Sequence, residues 1–340
     1  MRFTLILLSC FSVFQHNAQS KKDSIKLKNS QAVFKDYYPI SIKPALGYIS
    51  SMNDYEEILF DAKPIVYYSI YNNMQEIIHN GENKKLSMAY YLNFQPHIRM
   101  YNDNSKPVKT PSYKLLLGGQ FLYKTNNNNF FALAIESGHY SNGQSGCAFD
   151  SDLNDETDAC DDVYKGITSQ TDLSAILNRN SGNFSTNLTK LSLNYRFNNL
   201  NDDNKPVKIH SFTTFWELYH NNMFGLVDLG GYSDFDIEIY GRNRFGLGYE
   251  FIHTPTQNIN FRYSLGQQFE IIQGAHNYVT PLRSESIIIL YPWDRDIGFF
   301  VSYIYGHDNY NYRFVDSGHQ INFGVTWDWF TPFEITTDVN

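Results

Sequence analysis

An all-β fold, a transmembrane antiparallel β-barrel of twelve strands behind an N-terminal signal peptide, is what this sequence predicts, and three observations predict it. Beyond the first 20 residues no window approaches the roughly 18 apolar residues that a spanning helix needs. Aromatic residues make up 16% of the chain, with 26 Tyr and 26 Phe, yet the mean hydropathy is negative. A barrel in lipid needs that mixture, because aromatic girdles line both interfaces while lumen positions stay polar. Finally, apolar residues recur at every second position over much of the chain, and the connectors alternate in length.

The elements follow in order. Met1 and Arg2, the apolar run from Leu5 to Phe14 and the exit Asn17, Ala18, Gln19, Ser20 describe a secretory signal peptide over residues 1–20. Residues 21–44 read as a periplasmic extension, 45–330 as the barrel and 331–340 as a C-terminal tail. Strands are expected near 45–52, 63–72, 87–101, 113–125, 129–141, 187–198, 207–219, 235–253, 258–271, 284–293, 297–308 and 319–330. Phe261, Tyr263, Leu265, Phe269 and Ile271, for example, alternate with Arg262, Ser264, Gly266, Gln268 and Glu270. Ile297, Phe299, Val301, Tyr303 and Tyr305 repeat the period, as do Ile321, Phe323, Val325, Trp327 and Trp329.

A soluble β-sandwich alternates too, so the connectors decide. Short ones (126–129, 199–206, 254–258, 293–296) take turns with long ones (142–186, 221–234, 272–283, 309–318). Short turns on one side and long loops on the other place the chain in the bacterial outer membrane as a multi-pass barrel. Twelve is an even number, as single-chain bacterial barrels have, and side chains can fill much of so small a lumen. Segment 73–86 is longer than a periplasmic turn should be. Trp216, Trp293, Trp327 and Trp329 fit the interfacial girdles.

The net charge of -8 and the lack of a basic cluster exclude a nucleic-acid partner. Cys147 and Cys160, the cysteines left after the leader, share one acidic segment, and a bridge between them is expected in an exported chain. That segment begins like a calcium loop at Asp150, Asp152 and Asn154. It has Asp155 where such a loop needs Gly, and reads as a solvated surface loop.

The stretch Ile135-Glu-Ser-Gly-His-Tyr-Ser-Asn-Gly143 carries the chemistry. Phe131, Leu133 and Ile135 form an apolar face, and the same parity brings Ser137, His139 and Ser141 onto it. On the following strand, Thr189, Leu191, Leu193, Tyr195 and Phe197 mark the outer face, whose parity begins at Asn187. The hairpin therefore gathers His139, Ser141 and Asn187 on the lipid side, where unpaired polar groups are costly. A nucleophile, a base and an orienter account for them: Ser141 attacks an ester, His139 takes its proton, and Asn187 fixes the imidazole tautomer. A neutral amide suits this depth better than a carboxylate.

The run His139, Tyr140, Ser141, Asn142, Gly143 resembles the H-x-S-N-G signature of the outer membrane phospholipase A family. The resemblance implies a twelve-stranded barrel that hydrolyses acyl esters of membrane phospholipids and lysophospholipids. It implies calcium near the oxyanion and an active homodimer. Gln144 stands where the family has an Arg that gives a backbone calcium contact. The family's S-x-S-x-N context reads here as Asn183, Phe184, Ser185, Thr186, Asn187, after a far longer loop. By that matching Asn183 takes a calcium-ligating position, and Thr110, before Pro111, takes the hydroxyl ligand donated across the dimer. The competing reading is a non-enzymatic barrel, either a narrow channel or a structural protein. Asn178 and Asn180 rival Asn187 only if the strand starts earlier. Residues 241–248 are glycine-rich but lack the Lys-Ser/Thr of a phosphate loop.

Overall fold

Alternation turns into twelve staves because every second side chain finds either lipid or lumen. The computed structural model describes residues 37–51, 57–74, 77, 85–102, 108–125, 129–201, 206–223, 227–228, 231–255, 261–293, 296–311 and 313–328. The expected leader (1–20), the first part of the extension up to residue 36, Trp329 and the tail (331–340) lie outside the described residues.

The strands are β1 (Ala45–Ser51), β2 (Ile58–Lys63), β3 (Val66–Asn72), β4 (Leu86–Tyr101), β5 (Val108–Lys124), β6 (Phe130–Ser141), β7 (Ser185–Leu200) and β8 (Pro206–His220). A small hairpin of β9 (Asn222–Met223) and β10 (Val227–Asp228) follows. Then come β11 (Gly241–His253), β12 (Phe261–Ala275), β13 (Leu282–Pro292), β14 (Ile297–His307) and β15 (Ser317–Trp327). Neighbours pair antiparallel around the ring, and β1 closes it on β15. β2 and β3 together make one stave against β4: Ile58 faces Tyr101 and Asn72 faces Ala89. They part at Pro64, which has no N–H to give the ladder.

The outward parity carries a continuous apolar belt. Leu115, Leu117, Ile135, Leu247, Ile288, Leu290, Phe299, Val301 and Phe323 are all exposed. So much apolar surface around a closed ring belongs in hydrocarbon, and the chain is an outer-membrane β-barrel. No helix among the described residues is long and apolar enough to cross a membrane.

One expected strand starts late. Residues 234–240 form helix α3 (Asp234–Tyr240), and the strand begins only at Gly241. Ser233 and Asp236 make a reciprocal capping box, with Asp236 N–H donating to Ser233 Oγ at 3.1 Å and Ser233 N–H to Asp236 Oδ2 at 3.0 Å. The alternation of Phe235, Ile237 and Ile239 is too short to outweigh that cap.

The long loop after β6 is a folded cap. It holds helix α1 (Asp158–Gly166), helix α2 (Leu173–Ile176) and the Cys147–Cys160 disulfide. Its acidic side chains at Asp152, Glu156, Asp158 and Asp162 face water. Phe149, Leu173, Leu177 and Phe184 instead enter one buried cluster with Tyr219, Tyr240, Ile272 and Phe314. That cluster closes the mouth formed by the long loops.

At the other mouth residues 37–44 run inside the lumen. Gln120 Nε2 donates to Ile40 O at 3.0 Å, Ile42 N–H to Tyr67 Oη at 3.1 Å, and Lys43 Nζ pairs with Asp328 at 3.1 Å. Tyr37 and Tyr38 are buried beside Tyr67, Tyr91 and Leu122. Between plug and cap, buried ion pairs line the lumen beside a cavity of about 440 Å³. A lumen stopped at both ends should not conduct. Planar-bilayer recordings are expected to show no stable channel, and a steady porin-sized conductance would contradict this placement of plug and cap.

Candidate active site

Register alone brings the three expected residues to one place. β6 pairs with β7 so that His139 faces Asn187 and Ser141 faces Ser185, while on its other side Leu115 of β5 faces His139. Leu115 is exposed to lipid, so this row looks outward. His139 Nδ1 and Asn187 Oδ1 are 3.0 Å apart. The Asn187 Nδ2 group donates to the carbonyl of Asn221, which fixes its oxygen toward the imidazole. Nδ1 of His139 must then carry the proton, and Nε2 presents a lone pair.

Asn187 is fully buried although it sits on the outward parity. β9, which directly follows Asn221, lies against both β6 and β7 and covers it. Ser141 follows His139 by two residues on the same face, roughly 6.5 Å further along the strand. Among the described residues no hydrogen bond joins its hydroxyl to the imidazole. Such contacts often tighten only when substrate binds.

Just past Ser141 the chain turns sharply. Gly143 has φ +64°, and a Cβ there would meet open space, so the backbone conformation rather than crowding calls for glycine. Gly143 is exposed, and its N–H has no acceptor among the described residues. The Gln144 N–H is engaged, donating to Asn142 Oδ1 at 3.2 Å.

The residues matched to calcium ligands divide. Asn142 Oδ1 also accepts from Phe184 N–H at 3.0 Å, which knots Gln144 to the end of the cap where Asn183 stands. Asn183 Nδ2 donates to Asp155 Oδ2 at 2.5 Å, so Asn183 keeps its oxygen for another partner beside a carboxylate. Both residues have an oxygen of the neutral kind that a hard cation accepts. Thr110 does not fit its expected role. It is buried at the inner parity of β5, and its hydroxyl donates to Asn180 O at 3.1 Å. Its carbonyl accepts from Tyr310 Oη and Asn311 Nδ2, both at 2.8 Å. A ligand offered to a second copy from the barrel surface needs an exposed hydroxyl. No group of three or more His, Cys, Asp or Glu gathers for a metal among the described residues.

Four groups beside the three carried no role in the sequence reading, although Ser137 and Thr189 already stood on its outer faces. Ser137, Thr189 and His220 form a second outward chain, linked at 3.0 Å between Ser137 and Thr189 and again between Thr189 and His220. His220 faces Asn187 directly. The parity of β8 (Phe212, Thr214, Trp216, Leu218) would have placed that histidine outward. The fourth, the Asn221 carbonyl, left no signal, since any residue has one.

No family model matches the chain, and no curated protein matches its sequence. Among solved structures the fold is similar to the outer membrane phospholipase of Salmonella typhi, a dimer with bound calcium. That pair shares 10% identity over 84% of this chain and 90% of the other, with a TM-score of 0.46. Outer membrane phospholipase A from Escherichia coli gives 10% identity, 87% and 97% coverage and a TM-score of 0.47. The NanC porin gives 11%, 85%, 100% and 0.38. A phospholipase and a porin stand side by side at these low scores, so the likeness describes a barrel and carries no argument about chemistry.

Proposed function

We propose that this barrel is a phospholipase A that hydrolyses acyl esters of outer-leaflet phospholipids and lysophospholipids with Ser141, His139 and Asn187. The observation that carries the reading is the 3.0 Å contact between His139 Nδ1 and Asn187 Oδ1 on the outward parity of the barrel, with Ser141 next on the same face. Polar side chains at such a place need a purpose or a partner. Here the partners leave one basic nitrogen and one hydroxyl unengaged with each other.

Lipid would enter sideways from the leaflet, bringing its ester carbonyl to Ser141 Oγ. Nε2 of His139 takes the hydroxyl proton as Oγ adds to the carbonyl carbon, and the imidazolium is held through Nδ1–H by Asn187 Oδ1. The tetrahedral oxyanion forms beside the Gly143 N–H, a donor already fixed and free. On collapse His139 returns the proton to the leaving alkoxide, giving lysophospholipid and an acyl-serine. Water, activated by the same nitrogen, then releases fatty acid and restores Ser141.

Gln144, through its carbonyl, and Asn183 are the residues that would hold calcium in this proposal, in a homodimer. When bound, the ion would supply positive charge beside the oxyanion. Two neutral donors make a weak site, so half-activation is expected near about 10⁻⁴–10⁻³ M calcium, with EDTA suppressing both hydrolysis and dimer crosslinking. Hydrolysis unchanged in EDTA would remove the metal from the reading. The central test is release of fatty acid and lysophospholipid from mixed micelles by the refolded protein. No release above a heat-inactivated control, with calcium present, would leave only a non-enzymatic barrel.

A further inference from the structure

We infer that Asn142 is the positioning residue of the oxyanion donor, the joint through which the folded cap sets the Gly143 N–H beside Ser141; the inference rests on the hydrolase reading above. Asn142 directly follows the nucleophile but faces the opposite way and is 2% exposed. Its side chain makes three hydrogen bonds, all of them to backbone. Nδ2 donates to Gly182 O at 2.8 Å, while Oδ1 accepts from Phe184 N–H at 3.0 Å and Gln144 N–H at 3.2 Å. The Asn142 N–H donates to Phe184 O at 3.0 Å.

Two consequences follow from those four bonds. The Gln144 N–H bond closes an Asx turn around Gly143, holding the peptide in the left-handed conformation at φ +64°. It also removes the Gln144 N–H as an oxyanion donor, leaving the Gly143 N–H as the free one. The other three bonds tie this turn to residues 182–184, where the cap returns to β7.

The cap end is itself braced. Gly146 N–H donates to Ser181 O at 2.9 Å and Asn183 N–H to Gly146 O at 2.7 Å. Asn178 Nδ2 donates to Cys147 O at 2.9 Å, next to the disulfide. The turn at Gly143 therefore inherits the rigidity of the whole disulfide-bridged insertion. A hydrogen-bond donor stabilises an oxyanion only when it is fixed before charge develops. Asn142 supplies that fixing without touching substrate.

The test uses the full-length refolded protein in micelles, with Asn142→Ala and Asn142→Asp. Alanine removes all three side-chain bonds; aspartate keeps both acceptor bonds and loses the donor to Gly182. In Asn142→Ala, kcat for phospholipid is expected to fall about 100-fold with KM within twofold, a loss of the size seen when one oxyanion donor is removed. Asn142→Asp is expected to recover at least about tenfold of that loss. A kcat within threefold of wild type in the alanine variant, or a loss confined to KM, overturns the inference.

Amide exchange at Gln144 and Phe184, the two N–H groups that donate to Asn142 Oδ1, gives a readout independent of turnover. Faster exchange at both in Asn142→Ala, slowed again by aspartate, supports the clamp. Unchanged exchange overturns it, whatever the activity. A wild type that hydrolyses nothing while the alanine variant loosens both amides sinks the hydrolase reading alone, leaving Asn142 as the fastener of this turn.

Discussion

Ser141→Ala is expected to lower acyl-ester hydrolysis at least about 10⁴-fold while the barrel still shows heat-modifiable migration on gels. The hydroxyl is the one covalent participant in the proposed chemistry, and no neighbouring side chain replaces it. Ser185, which faces Ser141 across the ladder, belongs to β7 rather than to the turn that carries Gly143. Because nucleophile and base act as one unit, His139→Ala should cost nearly as much, and the double variant little more than either. Asn187→Ala should cost less, since it deprives Nδ1 of an acceptor but leaves both reacting groups. Fatty acid release from mixed micelles measures all of these. Full activity in Ser141→Ala would end the nucleophile assignment.

Asp61→Ala is expected to destabilise the folded barrel by about 3–5 kcal/mol, the range for breaking a buried ion pair by deleting one partner. Asp61 is 3% exposed and meets His97 Nε2 at 2.6 Å, Arg99 Nε at 2.7 Å and Lys63 Nζ at 3.3 Å. Removing the carboxylate leaves Arg99 with Asp308 at 2.6 Å as its remaining ion pair among the described residues and takes from Lys63 its partner at 3.3 Å. Urea unfolding of the micelle-bound protein, followed by loss of heat-modifiable migration, measures the change. A shift below about 1 kcal/mol would mean that lumen water substitutes for the carboxylate.

The barrel was legible because a strand in lipid writes its two faces directly into the sequence. Phe131, Leu133 and Ile135 set a parity that carries through to His139 and Ser141, and Leu191 and Leu193 do the same for Asn187. Their meeting needed only a hairpin. Thr110 shows the same rule from the other side: it came from motif matching, while Leu115 and Leu117 on its own strand put it on the inner parity. What parity cannot report is tertiary burial of irregular chain. The acidic loop looked solvated because its charges do face water, yet Phe149, Leu173 and Phe184 between them build the cap. Helix α3 alternates like a strand over too few residues for period to decide. The Asn142 clamp joins residues 40 apart, beyond the reach of any local pattern.

Lys43 and Pro44, just ahead of the first stave, are bonded to Asp328 and Thr326 at the end of the last: Thr326 Oγ1 donates to Pro44 O at 2.7 Å. The start and the end of the ring are thus riveted at a single seam, about 280 residues apart along the chain. Biogenesis of the ring must wait for its final segment to be made, and a polypeptide stopped before β15 would carry into the membrane both an open edge and a stopper that has lost its rivet to the last stave.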